Sequence, residues 1–138
     1  MGLSARILIV DDYQAVRTTV RSLLKWHRFD VCGEAKDGKE AIQKVIELKP
    51  DVVVLDINMP EMNGIQAAYQ IRQIAPSTKI VFFTVHESPQ VASAMHVFSN
   101  YFVSKSAAGT ELIPMLNRLA GISGDKRPDR AKPRRAAT

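Results

Sequence analysis

Apolar residues along this chain follow two spacings in turn. Short unbroken runs give way to longer stretches in which apolar side chains return every three or four positions. The first period belongs to strands buried on both faces and the second to amphipathic helices. Residues 6–10 predict a first strand, which stops at Asp11 and Asp12. Val16, Val20, Leu23 and Leu24 then recur at helical spacing between Gln14 and about Trp26. Phe29 to Ala35 predicts a second strand, and Asp37-Gly38 turns the chain into a helix carrying Ala41, Ile42, Val45, Ile46 and Leu48. Lys49-Pro50 ends that helix, because the residue before a proline is pushed out of helical geometry.

The central run, Val52 to Leu55, is β-branched, short and flanked by Pro50 and Pro60, and it ends in the carboxylate of Asp56. A loop through Asn63-Gly64 leads to a third helix with Ile65, Ala68, Ile71 and Ile74 on its apolar side. Lys79 to Phe83 is a fourth strand, ending at Thr84. Ser88-Pro89 reads as a cap followed by a first helical residue, with Val91, Ala94, Met95 and Phe98 giving that fourth helix its apolar face. Tyr101 to Val103 is a short fifth strand before Lys105, and Leu112, Leu116 and Leu119 mark a fifth helix. Pro114 is tolerated there only in a first turn or at a kink, so a late helix start is expected.

Five alternations of strand and helix predict an α/β fold with one doubly wound, five-stranded parallel sheet. Right-handed crossovers leave few topologies, and the flavodoxin-like (βα)5 order 2-1-3-4-5 fits five units. That order sets strands 1, 3, 4 and 5 side by side. Their C-terminal ends, where ligands bind in open parallel sheets, carry Asp11-Asp12, Asp56, Thr84 and Lys105.

Length and composition agree with one globular domain: 138 residues, 46% hydrophobic and 24% charged. The net charge of +5 is uneven, since residues 121–138 hold six basic against two acidic side chains. Residues 1–120 are read as the domain. Residues 121–138, where apolar periodicity stops, are read as a disordered basic tail or the root of a linker. A cationic segment without interleaved aromatics binds nucleic acid at most through phosphates, and a solubilising tail is the plainer reading. No run is long and apolar enough to span a bilayer, no signal peptide opens the chain, and Arg6 stands where a myristoylation motif needs Ser or Thr. Cys32 alone can form no internal disulfide and is expected as a reduced, packed thiol. These features point to the cytoplasm, with no membrane partner. Trp26, at a helix end, is expected to pack over an edge, and His27 and His96 to lie at the surface.

Three carboxylates gathered at one site repel one another, and a bound cation or a raised pKa relieves them. Few carboxylates with oxygen-only ligation suit Mg²⁺, which shares the phosphate oxygens of a substrate. The Thr84 hydroxyl and Lys105 ammonium beside such an ion make a pocket for an anion with several acceptors. Asp56, the middle carboxylate, is then a nucleophile able to form an acyl phosphate, with Mg²⁺ and Lys105 neutralising charge on the group in transfer.

Asp11-Asp12, Asp56, Thr84 and Lys105, each at a strand end, resemble the receiver domain of two-component response regulators. Ile57-Asn58-Met59-Pro60 followed by Met62-Asn63-Gly64 resembles that family's loop after the phosphoacceptor. The match covers roughly residues 5–120, and the run Lys105 to Leu112 resembles the NarL/FixJ type. The resemblance implies that Asp56 accepts phosphate from a sensor histidine kinase or phosphotransfer protein. It implies Mg²⁺ held directly by Asp12, Asp56 and the Asn58 backbone carbonyl, and by Asp11 through water. Lys105 would contact one phosphate oxygen. Thr84 would turn inward to another, and Phe102 would move with it as the aromatic of the switch. Self-phosphorylation and slow self-dephosphorylation would be its only chemistry. Output would pass to a downstream protein through the fourth helix, fifth strand and fifth helix, and a homodimer belongs to the same expectation. The chain ends too soon for a helix-turn-helix, so nucleic acid binding is not expected unless such a domain follows in a longer protein.

Several positions depart from the family pattern. Val85 follows Thr84 where a small residue is common, narrowing access to the acyl phosphate. Asn58 and His86 are, with Val85, candidate modulators of its lifetime, although His86 reads equally as a solvated loop side chain. Phe98-Ser99-Asn100-Tyr101-Phe102 replaces a glycine-containing stretch, Phe102 lacks the hydroxyl of tyrosine, and Ser106 replaces a proline. A degenerate receiver that binds partners constitutively is therefore one alternative. An aspartyl-phosphate hydrolase is another, but such enzymes place a second Asp where Asn58 stands, and an amide transfers no proton.

Overall fold

The computed structural model describes residues 5–85 and 101–125, with side chains described as far as residue 120. Five parallel strands form one sheet: β1 (Arg6–Val10), β2 (Asp30–Ala35), β3 (Val52–Leu55), β4 (Lys79–Thr84) and β5 (Phe102–Ser104). Their order is β2-β1-β3-β4-β5, the expected doubly wound arrangement. Helices α1 (Gln14–Trp26), α2 (Gly38–Leu48) and α3 (Gly64–Ile74) alternate with the first four strands. The helix expected from Ser88-Pro89 lies outside the described residues, so the C-terminal helix, Ile113–Asp125, is α4 here. Among the described residues no helix is long and apolar enough to cross a membrane.

The sheet is apolar on both sides, which is why its strands read as continuous hydrophobic runs. Ile7, Ile9, Val52, Val54, Val81 and Phe83 face the layer holding Val20 and Leu24 of α1 and Leu116 and Leu119 of α4. Leu8, Val10, Val53, Leu55, Ile80 and Phe82 face Ala41 and Val45 of α2 and Ala67, Ala68 and Ile71 of α3. Alternate residues of one strand thus serve two cores, as the two-residue period of a strand requires.

Local chemistry sets the helix starts. Asp37 caps α2 by accepting from the Glu40 N–H, and Glu40 accepts in turn from the Lys36 N–H. Asn63 and Gln66 form a reciprocal capping box at the start of α3. Pro114 falls in the first turn of α4, as its missing N–H demands. Before it, Lys105–Ala107 form a 3₁₀ turn and Ala108–Leu112 a π-helical turn. The proline cannot donate to the Thr110 carbonyl and its ring crowds that oxygen, so the chain widens before settling into α-helix.

Three side chains differ from expectation. Trp26 is 83% exposed rather than packed over an edge. It follows Leu24 by two residues, about 200° around the helix, which turns it away from the core. Ile46 and Ile74 are also exposed, beyond the stripes set by Val45 and Ile71. The Cys32 thiol is half-buried and donates to the Ile7 carbonyl at 3.5 Å, and burial pushes its pKa up. It sits where β1 and β2 slip in register between Ile7 and Leu8.

Candidate functional site

The sheet extends its hydrogen bonding one residue beyond two of its strands. The Asp11 N–H donates to Ala35 O at 3.1 Å, and the Asp56 N–H donates to Val10 O at 3.0 Å. Both backbones are therefore fixed by the ladder while their carboxylates project past it. Asp11 is 1% exposed, Asp56 4% and Thr84 0%, and these are the buried polar side chains among the described residues. Asp11, Asp12 and Asp56 each offer an oxygen, all within 4.8 Å of one another.

Lys105 enters from the end of β5. Its Nζ lies 2.5 Å from Asp11 Oδ2 and 3.5 Å from Asp56 Oδ1, and 6.0 Å from the centroid of the Phe83 ring. The Asp11 Oδ1 atom accepts the Tyr13 N–H at 2.9 Å. Asp12 Oδ1 is buried without a hydrogen-bond partner. Burial, then the neighbouring Asp11 charge, pushes the Asp56 pKa up from 3.8 to about 6, against the pull of Lys105 and the Asn58 N–H. An all-oxygen donor set with an orphaned buried carboxylate oxygen fits a hard divalent cation.

The loop after Asp56 is shaped by Gly64. Its N–H donates to Ile57 O at 2.8 Å, and a Cβ there would lie 2.1 Å from the Asp56 carbonyl oxygen. Only a residue without a side chain lets the loop close so tightly on the backbone of Asp56. Met62 lies against Gly38, where a Cβ would come within 2.7 Å of its sulfur, tying the same loop to the start of α2.

Asn58 Nδ2 lies 3.4 Å from Thr84 Oγ1, so the residue two beyond Asp56 touches the hydroxyl at the end of β4. Val85 is 58% exposed beside it. Phe102 is half-buried and packs against the core shared with α2 and α3. His86 lies outside the described residues. The structure thus gathers Asp11, Asp12, Asp56, Asn58, Thr84 and Lys105 at one sheet edge, with Val85 at the rim and Phe102 on the neighbouring strand.

Sequence reasoning missed Arg17. Its Nη1 donates to the Asp11 carbonyl at 2.7 Å and its Nε to Glu34 Oε1 at 3.1 Å. The available signal was an arginine five residues beyond Asp12, which spacing alone does not separate from a solvated one.

A parallel sheet ending in a carboxylate cluster, a hydroxyl and an ammonium suits a bound cation and an anionic group with several acceptors. The chain belongs to the response regulator receiver domain family, whose match spans residues 7–117. It is 35% identical over 119 residues to the chemotaxis protein CheY of Thermotoga maritima, covering 86% of this chain and 99% of that protein. It is 37% identical over 128 residues to a protein-glutamate methylesterase/protein-glutamine glutaminase of Archaeoglobus fulgidus, covering 86% of this chain but 37% of that one. Among solved structures it resembles a LuxR-family two-component response regulator from Aurantimonas sp. SI85-9A1. The TM-score is 0.79 at 35% identity, covering 86% and 87% of the two chains. It is accordingly a receiver domain of two-component signal transduction, a family whose role is to be phosphorylated on an aspartate. Members act with histidine kinases, phosphotransfer proteins and effector domains, and the relatives are mostly regulators, one being an esterase.

Proposed function

We propose that Asp56 is the phosphoacceptor. Its carboxylate attacks phosphorus as the N–P bond of a donor phosphohistidine breaks; the aspartyl phosphate forms and the imidazole leaves with a proton. The observation that carries this reading is the Lys105 ammonium, 3.5 Å from Asp56 Oδ1 within the three-carboxylate cluster. That ammonium is placed to meet a phosphoryl oxygen. Asp12, Asp56 and the Asn58 carbonyl, with Asp11 through water, would hold a Mg²⁺ ion, whose charge would neutralise the phosphoryl group in transfer. Thr84 accepts the role of signalling residue. Its buried hydroxyl leaves Asn58 for a phosphoryl oxygen and draws the chain after β4, with Phe102 following. About −1.5 to −2 added charges at one carboxylate suffice to bias such an element.

Asn58, Val85 and His86 set the lifetime of the phosphoryl group. The chain works in the cytoplasm without turning over an external substrate. Residues 1–120 serve as the receiver, and 121–138 as a basic tail or linker root. A downstream protein reads the surface of the helix expected at 88–98, β5 and α4.

Incubation with acetyl phosphate and Mg²⁺, followed by intact mass measurement, tests the assignment. The wild type is expected to gain one phosphoryl group and Asp56→Asn none. A phosphorylated Asp56→Asn protein, or a wild type that stays unmodified, would remove Asp56 from this role. Turnover of a small phosphate ester would instead favour the hydrolase reading.

A further inference from the structure

Two guanidinium groups converge on Glu34 of β2. Arg17 Nε meets Glu34 Oε1 at 3.1 Å, and Arg21 Nη1 meets Oε2 at 2.7 Å, so each carboxylate oxygen is taken. The Arg17 side chain is the more buried of the two arginines, and its free arm reaches back across the start of α1 to Asp11 O. That carbonyl is half of the peptide group joining Asp11 to Asp12. Its other neighbours are also pinned: the Asp11 N–H by Ala35 O, and the Asp11 carboxylate by the Tyr13 N–H and Lys105. Asp12 itself has a buried oxygen with no hydrogen-bond partner, so its own side-chain contacts do not fix where it points.

We propose that Arg17, held by Glu34, is a positioning residue: by fixing the Asp11–Asp12 peptide plane it aims the Asp12 carboxylate into the metal-binding cluster. This inference rests on the reading that the cluster binds Mg²⁺. A purely stabilising role leaves the bond to Asp11 O unexplained, and Glu34 would keep Arg21 as a partner if Arg17 were lost. The bond to Asp11 O is the one that touches the site. Glu34 has a second duty, since it balances the Arg17 charge and keeps that cation from competing with the metal ion. Lysine cannot replace Arg17, because one ammonium cannot span both acceptors as a planar fork does.

The test measures Mg²⁺ dissociation constants of the full chain by amide chemical-shift titration, with thermal stability in EDTA recorded alongside. Arg17→Lys and Arg17→Gln are expected to weaken Mg²⁺ binding by about 10-fold, the usual effect of removing an outer partner of a metal ligand. The Asp12 amide should shift and the metal-free melting temperature should stay close to that of the wild type. Glu34→Gln should weaken binding in the same direction. If Arg17→Lys binds Mg²⁺ as tightly as the wild type, the positioning role is overturned. A loss of affinity that only tracks a loss of folded protein overturns it as well, and Arg17→Lys guards against Arg17→Gln failing to fold. A wild type that binds no Mg²⁺ would instead overturn the underlying reading of the cluster.

Discussion

Replacing Asp56 with asparagine keeps the shape of the side chain and removes its charge, so it measures what that charge does to the folded protein. In the folded chain the Asp56 pKa is raised from 3.8 to about 6 by burial and by Asp11. About two pKa units at about 1.4 kcal/mol each give a penalty of about 3 kcal/mol when Asp56 is ionised without metal. That penalty is already net of the pull of Lys105, which lowers the Asp56 pKa. The expected gain is then about 3 kcal/mol, or about 12 °C in melting temperature for a domain of this size. The pH dependence has a definite sign. Because the folded pKa lies above the unfolded one, the native state binds more protons between pH 3.8 and about 6. Wild-type stability therefore falls as pH rises through that window, and the full penalty stands above it. Thermal denaturation followed by circular dichroism in EDTA should show Asp56→Asn as the more stable protein near neutral pH, with its advantage shrinking towards zero at the acid end of the window. Saturating Mg²⁺ should narrow the gap by stabilising the wild type. An Asp56→Asn protein no more stable than the wild type near neutral pH, or an advantage of equal size at both ends of the window, would refute the reasoning.

Three further substitutions probe neighbouring parts of the site. Gly64→Ala places a Cβ against backbone rather than a yielding side chain. It should cost about 1–3 kcal/mol in urea denaturation and slow acetyl-phosphate labelling, and unchanged values would show that the loop has slack. Lys105→Ala removes a charge that holds the Asp56 pKa down. Carbon-detected titration of the aspartate carboxylates should find the midpoint higher than in the wild type; a lower one would contradict the ion pair. Asn63→Ala deletes the α3 capping box and should lose about 1 kcal/mol in chemical denaturation, with Asn63→Asp retaining most of it.

The fold and the acidic cluster were legible for one shared reason. Strands buried on both faces show as unbroken apolar runs, and a polar residue ending such a run marks the sheet edge. Asp56 follows a run of this kind and Thr84 ends one, Lys105 follows the shorter, half-buried β5, and strand order did the rest. Side-chain direction within helices was less legible where a residue continued an apolar stretch past the buried stripe, as Trp26, Ile46 and Ile74 do. Arg17 was out of reach for a different cause. Its partners are a backbone carbonyl six residues back and a carboxylate on β2, and hydrophobic period carries no information about either. The Asn58 contact with Thr84 is likewise a product of strand adjacency and reach, which the alternation of strands predicts only to the level of which ends meet.

The brevity of β5 has its own consequence. It pairs with β4 through Phe102, Val103 and Ser104, and on its other side the sheet ends. The lysine that follows it crosses to the carboxylates of β1 and β3, so electrostatics stitches the sheet's least secured margin to its centre. Whatever draws the ammonium elsewhere loosens or tightens that seam. The rate at which the amides of Val103 and Ser104 trade hydrogen for deuterium is thus a gauge of what the pocket holds, readable at the rim without touching the chemistry inside.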